Sequence, residues 1–134
     1  FSIFLPTIGG IECQFLIHVH GFPVHDDPEK TFLCKEMGIF NFGNNKAILF
    51  RFRLHRTIHS LLTKDRQSAE WFLHHKYGLH FIDFKGGLNQ RHVVYILRRL
   101  STFCNHHGTV IVFKGGHLEK QLLQKAGCRR TRLT

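Results

Sequence analysis

Thr109–Phe113 is a short, continuous apolar run with no polar alternation. A strand of that kind is buried on both faces, which requires further layers above and below its sheet. Gly108 ends a helix-period segment just before it. Lys114-Gly115-Gly116 follows and leads into a second such segment, with Leu118, Leu122 and Leu123 on one side and Gly127 as the stop. A doubly buried strand set between two helices belongs to an α/β domain.

The N-terminal half reads differently. Gln14–His20 is a β-branched and aromatic run ending at Gly21-Phe22-Pro23, which predicts a buried strand followed by a turn. His25–Lys30 is a polar loop, Thr31–Asn41 a second strand, and Gly43-Asn44-Asn45 a turn into a third strand over Ala47–Phe52. These three form an antiparallel meander by their turn chemistry. Thr63 caps a helix over Lys64–Lys76 that places Ala69, Phe72 and Leu73 on one side, with Gly78 as its stop and Trp71 assigned to the core. Asn89 caps a longer helix in which Val93, Leu97, Leu100 and Cys104 recur at helical spacing.

Charge narrows the partners. Lys and Arg number 19 against 9 Asp and Glu, a formal net charge of +10, and 12 His add to it in mild acid. Such a balance favours nucleic acid first and an anionic membrane surface second, against the plain alternative of a solvated basic surface. Residues 91–134 hold nine Lys or Arg and one acidic residue, Glu119. Arg91, Arg98, Arg99, Lys114, Arg129 and Arg130 are the candidates for contacting phosphates. No apolar run reaches the length of a membrane span, so no membrane partner is expected.

Cys13, Cys34, Cys104 and Cys128 include no Cys-x-x-Cys pair, and three of them lie in apolar segments. This argues against a disulfide framework and for a reducing, intracellular compartment, cytoplasmic or nuclear. The chain starts at Phe1 without Met and reads as part of something longer, with 1–10 as an upstream segment and 11–134 as one domain.

The order of three strands, helices, strand and helix resembles the DEDDh 3′→5′ exonucleases of the ribonuclease H-like superfamily. Ile17-His18-Val19-His20-Gly21-Phe22 stands where that family carries Asp-x-Glu and a glycine. Tyr77-Gly78-Leu79 stands at its glycine turn, and Leu118-Glu119 at the Phe-Asp pair opening a later helix. Gly21-Phe22, Lys35-Glu36, Trp71 and Lys114-Gly115 are also similar to a pattern in animal, mobile-element and viral proteins. The resemblance spans about residues 11–128 and rests on order and spacing. It implies a three-stranded meander extended by a parallel strand, with flanking helices, and a fold cut short at its C-terminal end.

It also implies two-metal hydrolysis, in which carboxylates hold a pair of Mg²⁺ ions. Here His18 and His20 occupy both first-strand positions, Glu119 is the remaining match, and the family's last His and Asp have no counterpart up to Thr134. Mg²⁺ requires hard oxygen ligands, for which imidazole is a poor substitute. The resemblance therefore implies a nucleic-acid-binding domain whose nuclease activity is lost or weakened. Mg²⁺ or another divalent ion enters only if His18, His20 and Glu119 still form a site.

Other readings of the same residues stay open. His18-Val19-His20 also resembles the His-hydrophobic-His motif of HUH endonucleases, which nick single-stranded DNA through a tyrosine. Tyr95, with Arg98 one turn along, would be that nucleophile. His74-His75, His106-His107, Cys104 and Cys128 are chemically suited to zinc but lack finger-like spacing; imidazolium at a helix C-terminus complements the helix dipole instead. Lys114-Gly115-Gly116 before a helix suits either a phosphate or a plain turn. A structural or protein-interaction domain of a viral or mobile-element protein is the remaining alternative.

Overall fold

The computed structural model describes residues 5–26, 32–75, 81, 86–113, 117–128 and 131–133. These form an α/β structure of six strands and three α-helices: β1 (Thr7–Ile8), β2 (Ile11–Pro23), β3 (Phe32–Asn41), β4 (Lys46–Arg51), α1 (Thr63–His75), α2 (Arg91–His107), β5 (Val110–Phe113), α3 (His117–Lys125) and β6 (Thr131–Leu133). The sheet order is β4-β3-β2-β5-β6, with β1 also paired to β2. β5 runs parallel to β2 and to β6. β3 folds back along β2, so the Phe42 N–H donates to the Gln14 carbonyl while Gly21 lies against Leu33 and Cys34 at the far end. Among the described residues no helix is long and apolar enough to cross a membrane.

Two compact units divide the chain: Phe1–Val19 with Met37–Leu49 and Arg91–Thr134, and His20–Glu36 with Phe50–Gln90. In the first, Gly9 and Gly10 take positive φ (58° and 80°) in the tight turn that lays β1 antiparallel on β2. The pairing of β2 with β5 shifts register between Cys13 and Phe15. This leaves Gln14 as an extra residue, whose amide donates to Asn41 Oδ1 at 2.9 Å. The shift sorts side chains by face. Cys13 and Leu16 join Val110 and Val112 in one cluster with Ile8, Ile11 and Phe42. Phe15 pairs with Ile111 on the other face and meets Phe103 of α2 edge-on at 5.5 Å. The four residues of β5 are all buried, as a doubly covered strand requires.

Helices α2 and α3 stop alike. Gly108 (φ 65°) and Gly127 (φ 78°) take the left-handed conformation, and the residue after each donates back to Cys104 and Leu123 respectively. Both ends follow from the glycines singled out in the sequence. All four cysteines are buried free thiols. Burial pushes the Cys34 thiol well above its ordinary range.

In the second unit the core is Phe22, Val24, Leu33, Leu54, Leu61 and Ala69, with Ile58, Phe72 and Phe81 packed against it. Gln90 clamps this unit: its amide bonds the Cys34 N–H and carbonyl at 3.0 and 2.5 Å and the Arg53 carbonyl at 2.8 Å. Leu88 closes on the chain after β4, exchanging backbone bonds with Arg51 and Arg53.

Two expectations are corrected here. Gly21-Phe22-Pro23 is no turn: β2 continues through it, because Phe22 supplies the second unit's core. Trp71 is 48% exposed, since Ala69 and Phe72 already fill the buried side of α1. Gly21 is instead a place of close strand approach, where an added Cβ would overlap the Leu33 carbonyl and the Phe32 ring. Gly21→Ala is expected to cost about 1–3 kcal/mol, seen as a lower urea midpoint with an unchanged slope; an unshifted midpoint would refute that account.

Candidate nucleic-acid interface

Helix α2 is amphipathic in an unusual way: its seventeen residues include no Asp or Glu. Val93, Leu97, Ser101 and Cys104 form the buried seam. At roughly 100° per residue, Arg91, Tyr95, Arg98, Arg99, Thr102 and His106 fall on the opposite side, and all six are exposed. Arg98 Nε donates to the Ala126 carbonyl at 3.3 Å, which ties that side chain to the end of α3. The Arg99 guanidinium lies 5.9 Å from the centre of the Tyr95 ring, with Nη1 3.5 Å from its hydroxyl. Of the six arginines and lysines assigned to phosphate contact, Arg91, Arg98 and Arg99 thus share one surface. Lys114, Arg129 and Arg130 lie outside the described residues, as do Gly115-Gly116 and the Tyr77-Gly78-Leu79 turn.

Tyr95 and His18 face apart. Phe15 points at α2, whereas Leu16, and with it His18 two residues on, belongs to the other face of β2. Tyr95 is itself 57% exposed, on the side of α2 away from its buried seam.

His18 is exposed, and Glu119 is half-buried in the first turn of α3. His20 has a different setting. Its Nδ1 stands 4.0 Å from Glu36 Oε2, and Arg51 Nε stands 3.8 Å from Glu36 Oε1. β2, β3 and β4 thus each give one residue to a row of imidazole, carboxylate and guanidinium. Among the described residues no three His, Cys, Asp or Glu side chains group as a metal ion requires. The imidazoles of His18 and His20 are not the hard oxygen ligands that the exonuclease resemblance implies for Mg²⁺. Glu36 opposite His20 follows from strand register, which the sequence does not display.

A second basic surface lies on the chain after β4, where Arg53, His55, Arg56, Thr57 and Ser60 line an open depression of about 500 Å³. Arg56 is spent internally. It grips both oxygens of Asp26 at 2.8 and 2.5 Å, while Nε reaches Ser60 Oγ at 3.2 Å and Nη2 the Ser60 carbonyl at 2.8 Å. One residue back, the His25 N–H donates to Asp65 Oδ2 at 2.8 Å, and its Nδ1 lies 2.5 Å from Oδ1 of that buried carboxylate. These two pairs pin the segment after β2 to α1 and to the turn before it. Nothing local in the sequence marks them, because their partners are thirty and forty residues away.

Comparison of the chain with protein-family models, with curated proteins and with solved structures finds no match. The assignment of a role therefore rests on the chain's own surfaces, of which the α2 face has the greater accessible charge.

The Arg56 guanidinium, chiefly by hydrogen bonding, holds the Asp26 carboxyl below its usual range. A depressed folded-state pKa contributes stability above the ordinary carboxylate range, and that contribution is lost as pH falls through the folded value. Asp26→Asn should therefore lower the thermal midpoint modestly at neutral pH, with the gap to the parent closing in acid. Melts between about pH 7 and pH 2 test this; a gap independent of pH would exclude the pair as its source.

Proposed function

We propose that this chain is a ribonuclease H-like, exonuclease-like domain that binds nucleic acid through the outer face of α2 and has lost or weakened nuclease activity. The observation that carries the reading is the acid-free face presenting Arg91, Arg98 and Arg99. Arg91 opens the helix, where the positive end of the macrodipole disfavours cations, and no acidic residue occupies the first turn. Charge placed against the helix's own preference serves something outside the helix. Phosphates are the anions that such a surface recognises through forked guanidinium groups.

The sheet supports the fold part of the reading. β2 lies at the centre, the β2-β3-β4 meander leaves it on one side, and parallel β5 and β6 extend it on the other. The donor set supports the lost activity. Imidazoles stand at the first-strand positions, and Glu36, which faces His20, is shared with Arg51.

Binding of a labelled oligonucleotide across a salt series tests the proposal. Neutralised phosphates release counterions, so affinity should fall steeply and linearly on logarithmic axes. Arg91→Ala and Arg99→Ala should each weaken binding and reduce the salt slope by about 0.7–0.9, while a 3′-labelled strand stays intact in magnesium. Salt-insensitive binding, or digestion from the 3′ end, would overturn the corresponding half of the reading.

A further inference from the structure

The six exposed residues of the α2 face include one tyrosine, and its position is unusual. Tyr95 lies almost opposite the Val93–Leu97–Cys104 seam, so it contributes nothing to the core and is 57% exposed. Its neighbours one turn away on this face are Arg91, Arg98 and Arg99. Arg99 covers the ring at 5.9 Å, near the outer limit of a cation–π contact. An exposed, flat π-surface set among guanidinium groups is suited to a partner that brings both phosphates and uncovered bases.

The same pattern continues along the helix. Arg91, Tyr95, Arg99, Phe103 and His107 recur every fourth residue, alternating cation, ring, cation, ring and imidazole. Each step rises about 6 Å along the axis and drifts about 40° around it. The C-terminal pair is already formed: His107 stacks on Phe103 at 4.0 Å with a 16° tilt, and its Nδ1 meets the Phe103 carbonyl at 2.9 Å. Phe103 is 39% exposed and its edge is turned to Phe15, which places it at the margin of the face. Tyr95 is the member of the series with a ring open to a ligand.

Resting on the reading above, we infer that the α2 face selects single-stranded over duplex nucleic acid, with Tyr95 as the platform on which a base stacks and Arg91 and Arg99 as the phosphate contacts flanking it. In a duplex the π-faces of the bases are covered by their neighbours, so Tyr95 has nothing to stack on and only the arginines contribute. In a single strand the ring adds a contact that every base can satisfy, which gives affinity without sequence preference.

The experiment compares a fluorescent oligo(dT) or oligo(U) of about 16 nucleotides with a duplex of matched length, by anisotropy at one salt concentration. Tyr95→Ala, at an exposed position, should keep the parent's thermal midpoint. It should weaken single-strand binding roughly tenfold while changing duplex binding less than about twofold. Tyr95→Phe keeps the ring and should recover most of the single-strand affinity. Equal losses on both probes, no loss on either, or no recovery with Phe would overturn the stacking role while leaving the charged interface intact. If neither probe binds in a salt-sensitive way, the nucleic-acid reading fails and this inference fails with it.

Discussion

β2 is hydrogen-bonded along both of its edges, and the placement of every other strand depends on that. On one side it pairs with the antiparallel β3, and on the other with the parallel β5 and, near its start, the antiparallel β1. A strand held in this way cannot slip, because a shift by one residue would turn its whole buried set to the wrong face. The irregularity at Gln14 is stabilised by the Asn41 side chain and by the Phe42 N–H on the Gln14 carbonyl. That bulge decides which side chains face α2 and which face away. Through Phe15 and Leu16 it also fixes the face on which His18 stands.

The charges of this basic chain are used in two ways. Around the segment after β2, basic side chains are matched to carboxylates: Arg56 to Asp26, and the imidazole of His25 to the buried Asp65. Arg51 meets Glu36 in the same manner on the sheet. Surface pairs such as Arg56–Asp26 and Arg51–Glu36 contribute little energy each, but they set local geometry. On α2 the helix's own sequence supplies no carboxylate, and Arg91, Arg98 and Arg99 accumulate on one side. A domain that needed charge only for solubility would gain by mixing both signs there. The cations after β2 are thus set against carboxylates of neighbouring segments, whereas those of α2 are gathered on a helix whose own residues include none.

His18 and His20 illustrate how one strand can give two like side chains different surroundings. Alternation keeps both on one face of β2, as it would keep two carboxylates. What differs is the company: His18 is exposed, whereas His20 shares Glu36 with Arg51. A carboxylate engaged by a guanidinium is a weaker metal ligand than a free one, since its charge is already partly met.

Local chemistry written in the sequence determined the elements. Gly108 and Gly127 end helices because only a residue without Cβ adopts their φ at little cost. Val110–Phe113 had to be covered on both faces, and the period of α2 had to bury Val93, Leu97 and Cys104, which places the arginines outward. Tertiary structure decided what local rules leave open. It drew β2 on through Pro23 to bury Phe22, left Trp71 exposed and added β6 beside β5. It also brought Glu36 to His20 and Asp65 to His25, since strand register and contacts between distant residues depend on how whole layers pack. Periodicity along a chain fixes which way a side chain points; only the packed layers fix what it meets there.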